Sequence, residues 1–312
     1  MSRTSHSPTD VLGISLGVLV ILMAIGSFIG IVQGRMFTGG FHFPQGRMFW
    51  DMGRAPWWGN DRDDARHGNS VREEKDEQVP SGDITEVEVR TIAGSIDIAG
   101  APAGGSAAVH SVKTAPFPAA MDGVRVDIEK QGSRLIVQEQ HDSRFMGHAA
   151  TVSFRISIPA GVKVVEAHSV SGSLAVHDVP AGIDQTLGTI SGSVATTRAR
   201  NLDVSTTSGG IRFVSEGALN AHSVSGSING TIAALPQAGS AQLNTISGSV
   251  SVGAFSGLDA RLTLHSLSGR VSCGFPVTIS EQKNNRLEGR VGTGAAVVDI
   301  GTMSGSIDLS KN

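Results

Sequence analysis

At 312 residues, 39% of them hydrophobic, with a net charge of -3, the chain is long enough for more than one folded part. It has no basic excess with which to grip nucleic acid. A single Cys excludes an intramolecular disulfide and a Cys-built metal site, and 40 Gly with no Tyr suit narrow β-rungs better than a bulky aromatic core.

Residues 1–10 form a short polar tail whose one basic side chain is Arg3. Residues 11–32 are an uncharged apolar run of 22 residues, more than the roughly 20 that span a bilayer. A cleaved signal peptide has a shorter apolar region, about 7–15 residues, and a small-residue cleavage site that this flank lacks. The expectation is an uncleaved transmembrane helix, and Gly13-x-x-x-Gly17 and Gly26-x-x-x-Gly30 would let two such helices approach closely. Residues 33–80 read as a linker. Its first part carries Gln-Gly-Arg-Met-Phe twice, at Gln33–Phe37 and Gln45–Phe49, and all three Trp (Trp50, Trp57, Trp58). That composition suits an interfacial collar beside the anchor, with a partner-docking segment as the alternative. Its second part is densely charged and reads as solvated linker or a short exposed helix.

Residues 81–161 read as antiparallel strands that lead into and cap the rest: alternating segments near Val87, Ala107–Val112, Val124–Glu129, Leu135–Gln140 and Thr151–Ile158, separated by turn residues. Residues 162–312 are repetitive. The phrase Thr245-Ile246-Ser247-Gly248-Ser249-Val250 recurs around Gly172, Gly192, Gly209, Gly226, Gly269 and Gly305, with a degenerate copy at Gly289 and an outlying one at Gly94. From Gly172 on, the glycines follow one another every 16 to 22 residues, the period of a solenoid whose rungs bury their apolar faces only by stacking. Apolar residues stand two after each glycine and two before most of them, so these columns and the glycine are expected to share the inner face. A further strand precedes each phrase, with apolar residues seven and five before the glycine. The apparent slip of parity puts a corner at the residue four before it: His168, Gly188, Ser205, His222, Asn244, His265, Asn285, Gly301. The fold class is therefore all-β, a parallel β-solenoid (β-helix) of about eight rungs preceded by antiparallel strands, with an N-terminal transmembrane helix.

The lead-in Ile156-Ser157-Ile158-Pro159-Ala160-Gly161-Val162, followed by Ser-Val-Ser-Gly-Ser-Leu and its repeats, resembles the bacterial “putative adhesin” family of β-strand-repeat proteins over about residues 83–312. The resemblance implies an N-terminal anchor in the cell membrane, crossed once, with the repeats outside the cytoplasm. It brings no catalytic residues. By itself, the charge balance of Arg3 before the span against Arg35 and Arg47 after it leans slightly the other way.

Three His share the supposed corner column, but at about 4.8 Å per rung His168 and His222 stand about 14 Å apart and His222 and His265 about 10 Å, too far to share a metal. Cys273 falls in an inner column and reads as a small buried apolar residue. Arg270 and Arg290 are expected in one outward column on adjacent rungs, with Glu288 one column across. That is a surface charge pair, or a contact for an anion or acidic glycan. No nucleophile–base triad, phosphate loop or dinucleotide fingerprint was found, so no catalytic, cofactor or metal site is assigned. The expected role is a membrane-anchored, non-catalytic binding or scaffold module for adhesion or the stressed cell envelope, with a glycan or envelope protein as partner. A polymer-forming structural protein is the alternative, and a carbohydrate-active β-helix enzyme comes third. The chain ends three residues after its last phrase, so weak self-association is expected through an uncapped C-terminal rung (Met303, Ile307, Leu309) or through the anchor helix.

Overall fold

A computed structural model describes residues 70–80, 83–102, 104–141 and 150–312. The expected transmembrane run and aromatic collar lie outside these residues; among the described ones no helix is long and apolar enough to cross a membrane.

In chain order the strands are β1 (Val71–Val79), β2 (Glu86–Ala93), β3 (Ile96–Gly100), β4 (Ala107–Ala115), β5 (Val124–Gln131), β6 (Arg134–His141), β7 (Thr151–Ile158), β8 (Val164–Ser171) and β9 (Leu174–His177). Then follow β10 (Asp184–Ser191), β11 (Val194–Thr196), β12 (Leu202–Ser208), β13 (Ile211–Ser215), β14 (Leu219–Ser225), β15 (Ile228–Ile232), β16 (Ser240–Ser247) and β17 (Val250–Ala254). The last are β18 (Ala260–Ser268), β19 (Val271–Cys273), β20 (Thr278–Lys283), β21 (Arg286–Val291), β22 (Ala296–Ser304) and β23 (Ile307–Lys311). They form two sheets, in the orders β1-β4-β7-β3-β9-β11-β13-β15-β17-β23-β19 and β20-β21-β18-β22-β16-β14-β12-β10-β8-β2-β6-β5. Each rung lays one strand in the second sheet, turns at the glycine, and lays the next strand in the first sheet. The eight glycine-centred rungs run in space through Gly94, Gly172, Gly192, Gly209, Gly226, Gly248, Gly305 and Gly269, all paired in parallel. The fold is all-β and solenoid-like.

The corner is at the glycine, not four residues before it. Strands of the second sheet continue unbroken through the supposed corner, so the residues seven, five and three before the glycine all face inward. In the Gly248 rung these are Ala241, Leu243 and Thr245, each at most 1% exposed. The residues two before the glycine therefore face out. In spatial order they are Ile92, Val170, Ile190, Thr207, Val224, Ile246, Met303 and Leu267; Val170 is 44% exposed and Leu267 71%. The sequence pattern misled because that outer column is as apolar as the core.

What fills the inner column is hydroxyl. From the Gly172 rung on, the buried Thr or Ser donates to the carbonyl of the glycine in the adjoining rung, as Thr189 to Gly172 at 3.1 Å, Thr206 to Gly192 at 3.2 Å, Thr245 to Gly226 at 3.0 Å, Thr302 to Gly248 at 2.9 Å and Ser266 to Gly305 at 2.8 Å. The corner turns these carbonyls toward the adjoining rung, where the hydroxyl meets them. Thr245→Val keeps the shape and removes the donor, so it is expected to lower stability by about 1–2 kcal/mol, the cost of a buried acceptor left unpaired. Urea denaturation will measure this, with Thr245→Ser expected to lose much less.

Spatial order departs from chain order at the C-terminal end. β22 lies between β16 and β18, and β23 between β17 and β19. After β17 the chain skips one rung position, builds β18 and β19, turns back through the β20–β21 hairpin, and finally fills the gap. Ile307 and Leu309 are consequently buried at 1% and 0%, and the last rung is no open end. The Gly289 copy is no rung either: β21 runs antiparallel to both β18 and β20. At the other end, the part of the expected charged linker that is described, Val71–Val79, is an edge strand, β1, antiparallel to β4. Lys113 reaches Glu73 at 3.2 Å and His110 reaches Asp76 at 2.7 Å across that pair.

Candidate functional site

The outer face of the second sheet carries the polar columns. Six residues before the glycine stand Glu88, Glu166, Thr186, Asp203, Asn220, Gln242, Asp299 and Thr263, polar in every rung. Their strand positions alternate with the buried apolar ones, which fixes them outward. Across β10, β12, β14 and β16 this face forms a shallow cleft of about 420 Å³, lined by Asp184, Thr186, Asn201, Asp203, Asn220 and Gln242 among others.

Neighbouring rungs hold these groups in place. Arg200 donates through Nε to Asp184 Oδ1 at 2.8 Å and pairs through Nη2 with Oδ2, and Asn201 Nδ2 donates to Asp184 Oδ1 at 2.8 Å. The Arg200 hydrogen bond holds the Asp184 carboxyl below its ordinary range. The Ala218 amide donates to Asn201 Oδ1 at 3.0 Å, and Asn220 Nδ2 donates to Asp203 Oδ1 at 3.3 Å. Further along, three acceptors are buried without a hydrogen-bond donor: Asn220 Oδ1 on β14, Asn244 Oδ1 on β16 and Asp299 Oδ1 on β22. Burial pushes the Asp299 carboxyl up, against the opposing pull of His265, whose Nδ1 lies 3.9 Å from Asp299 Oδ1. Gly301 makes the space here, because a Cβ on it would come within 2.6 Å of Asn244 Oδ1 and 2.7 Å of His265 Cε1. The face is thus rich in rigidly held acceptors at one-rung intervals. At its Gly94 end it closes in an ion-pair network: Arg134 reaches Glu88 at 2.7 Å and Glu166 at 3.2 Å, and Arg90 reaches Glu88 at 2.5 Å.

The residues singled out from the sequence do not converge. Arg270 is exposed at the glycine corner before β19, whereas Glu288 and Arg290 lie on β21, outside the rung stack. Glu288 pairs with Arg286 instead, at 3.0 Å from Nε. The register sets Arg290 beside Arg261 of β18, so the like-charged neighbours are a different pair from the one expected. The supposed adjacency failed because β21 pairs with β18 in the antiparallel direction, which sets Arg290 beside Arg261 near the start of β18, whereas Arg270 follows the end of that strand. The late insertion of β22 puts His222 and His265 three rung steps apart, about 14 Å, rather than two. Burial holds the His222 imidazole below its ordinary pKa, with Asp203 opposing. Among the described residues no group of three or more His, Cys, Asp or Glu is placed to hold a metal. Cys273 is half-buried against the core, and burial pushes its thiol pKa up. The cleft residues were missed, although one signal was available: the position six before the glycine is polar throughout.

Against known proteins, residues 78–310 match the family described as Toastrack DUF4097. No curated protein sequence matches the chain. Among solved structures it is similar to a “putative cell adhesion protein” from Clostridium sporogenes ATCC 15579, at 9% identity and TM-score 0.38, covering 78% of this chain and 100% of that one. It is also similar to a “putative adhesin” from Bacteroides fragilis NCTC 9343, at 12% identity and TM-score 0.43, covering 77% and 97%. A third is a “putative lipid binding protein” from Parabacteroides distasonis ATCC 8503, at 13% identity and TM-score 0.33, covering 78% and 96%.

Proposed function

This chain belongs to the Toastrack DUF4097 family, and from that premise we propose that it is a non-catalytic binding module for a hydroxyl-rich, extended ligand, with an envelope glycan as the class that fits. The observation that carries this reading is the series of polar side chains, Asp184, Asn201, Asp203, Asn220 and Gln242, that successive rungs present across one cleft. Carboxylate and amide groups held at one-rung intervals match sugar hydroxyls, which both donate and accept hydrogen bonds, in series. The six cleft residues named above include no aromatic ring, so hydrogen bonding rather than stacking would dominate and affinity would be modest.

The proposal includes the anchor: residues 11–32 would hold the module at the cell membrane with its rungs outside the cytoplasm. A binding module is favoured over an end-to-end polymer by the sheet edges. β1 (VREEKDEQV) and β5 (VRVDIEKQ) are densely charged, β20 carries Glu281 and Lys283, and β19 is three residues long. Short and charged edges resist strand addition.

The test is calorimetry of the full chain against a panel of soluble neutral and amide-bearing glycans, with protease added to intact cells as its second arm. Binding to at least one glycan, weakened about tenfold by Asn220→Ala with Gln242→Ala, is expected, a change of about 1.4 kcal/mol. Failure to bind any glycan at millimolar concentration, or binding indifferent to both substitutions, would refute the ligand class. Full protection of the rungs from protease in intact cells would refute the orientation.

A further inference from the structure

The outward apolar ladder at the glycine corner, from Ile92 to Leu267, takes no part in the polar face just described. It occupies one edge of the array at one side chain per rung, so its eight positions extend over about 34 Å at 4.8 Å per step. Val170, Val224 and Met303 are 44%, 39% and 41% exposed, so the row is open to water along its length. The columns immediately before and after the glycine are almost entirely Ser. Arg270, at one end, is the only charged residue in the three columns that form this edge.

We infer that the ladder is the surface through which two copies of this chain pair side by side. Two features single out a second copy as the occupant, and a third sets the strength of the contact. First, side chains repeating every 4.8 Å, apolar in every rung but that of Thr207, leave gaps of the same period, and the partner that fills gaps of that period is another stack of β-rungs, which this chain supplies. Second, the edge carries no charge except Arg270 at one end, so two copies meeting along the rest of it bury no ionic group and set Ser hydroxyls against Ser hydroxyls; a bilayer-seeking edge would carry a basic row. Third, a strip one side chain wide and about 34 Å long falls well below the roughly 800 Å² per partner of a standard stable interface, so the pair is weak and reversible. Pairing at this edge leaves the columns six and eight before the glycine open, so it is independent of the glycan reading. It also moves self-association from the last rung, which is interior, to the side of the array.

The experiment is disulfide trapping in the full chain in detergent micelles, in a Cys273→Ser background with copper phenanthroline as oxidant. Val224 is near the middle of the ladder, so Val224→Cys meets its counterpart whether two ladders run parallel or antiparallel. Ser251, exposed on the outer face of the other sheet, provides the control as Ser251→Cys. Val224→Cys is expected to cross-link at least about tenfold faster than the control, because pairing raises the local thiol concentration. Ile190→Lys with Ile246→Lys, two rungs to one side of it and one rung to the other, should bring it down to the control rate while leaving the melting temperature unchanged. Equal rates for the two cysteines, or a Val224→Cys rate indifferent to the lysines, would overturn the inference. So would shielding of that thiol from a soluble maleimide only when phosphatidylglycerol vesicles are present, which would make the ladder a lipid contact.

Discussion

Gly209→Ala is expected to cost about 4 kcal/mol or to prevent folding, whereas Gly210→Ser, one residue on, should change stability by no more than about 0.5 kcal/mol. The two glycines are neighbours in sequence and opposites in environment. Gly209 has φ +151°, and a Cβ built on it would lie 1.9 Å from the Gly192 carbonyl oxygen and 2.5 Å from its carbon. The obstruction is backbone, fixed by the adjoining rung on one side and the Gly226 rung on the other, so nothing can yield without parting the stack. A Cβ on Gly210 meets only the Ser227 carbonyl, at 3.5 Å, and Ser occupies the same column in most other rungs. Urea or thermal denaturation of the two variants separates the cases. Equal midpoints would show that the corner glycines are not held apart by contact between rung backbones.

Much of this architecture was legible in the residues, and the failures have physical causes. The period of the Ser-Gly-Ser phrase announced the rungs, and the columns five before and two after the glycine are apolar enough to identify as core. The inner column of Thr and Ser was not, because a buried hydroxyl looks like a surface residue until its acceptor, the glycine carbonyl of the adjoining rung, is known. Placing Ile246 inward on its apolar character forces Thr245 outward and requires a corner at Asn244. Rung order was illegible for another reason. A rung pairs with its neighbours through backbone and generic apolar contacts, so nothing in Thr302–Leu309 says which gap it fills. Arg270 and Arg290 failed with it, since their adjacency was inferred from chain order. On the polar face, Asn220 and Asp203 were visible as outward positions, but only the register shows that they follow one another across the cleft.

The N-terminal end of the stack is closed by one side chain, and Glu139→Ala is expected to lower stability by about 2–4 kcal/mol. β6 pairs with β2 only as far as Arg90 and Gln138, yet β2 runs on to Ala93. Beyond the last paired residue the amides of Ile92 and Ala93 would face no strand. The Glu139 carboxylate fills that place: Oε2 accepts from the Ile92 amide at 2.6 Å, the Ala93 amide at 3.3 Å and the Thr91 hydroxyl at 2.5 Å, while Oε1 pairs with His141 Nε2. The side chain is wholly buried, at 0% exposure, so its loss leaves those donors facing a cavity lined by protein. Thr91 retains the Val152 carbonyl at 3.0 Å, which limits the damage on its side. Glu139→Gln keeps one acceptor oxygen and should lose less than the alanine variant. If Glu139→Ala moves the urea midpoint by an amount worth less than about 0.5 kcal/mol, water is satisfying these amides and the carboxylate is not what ends the array.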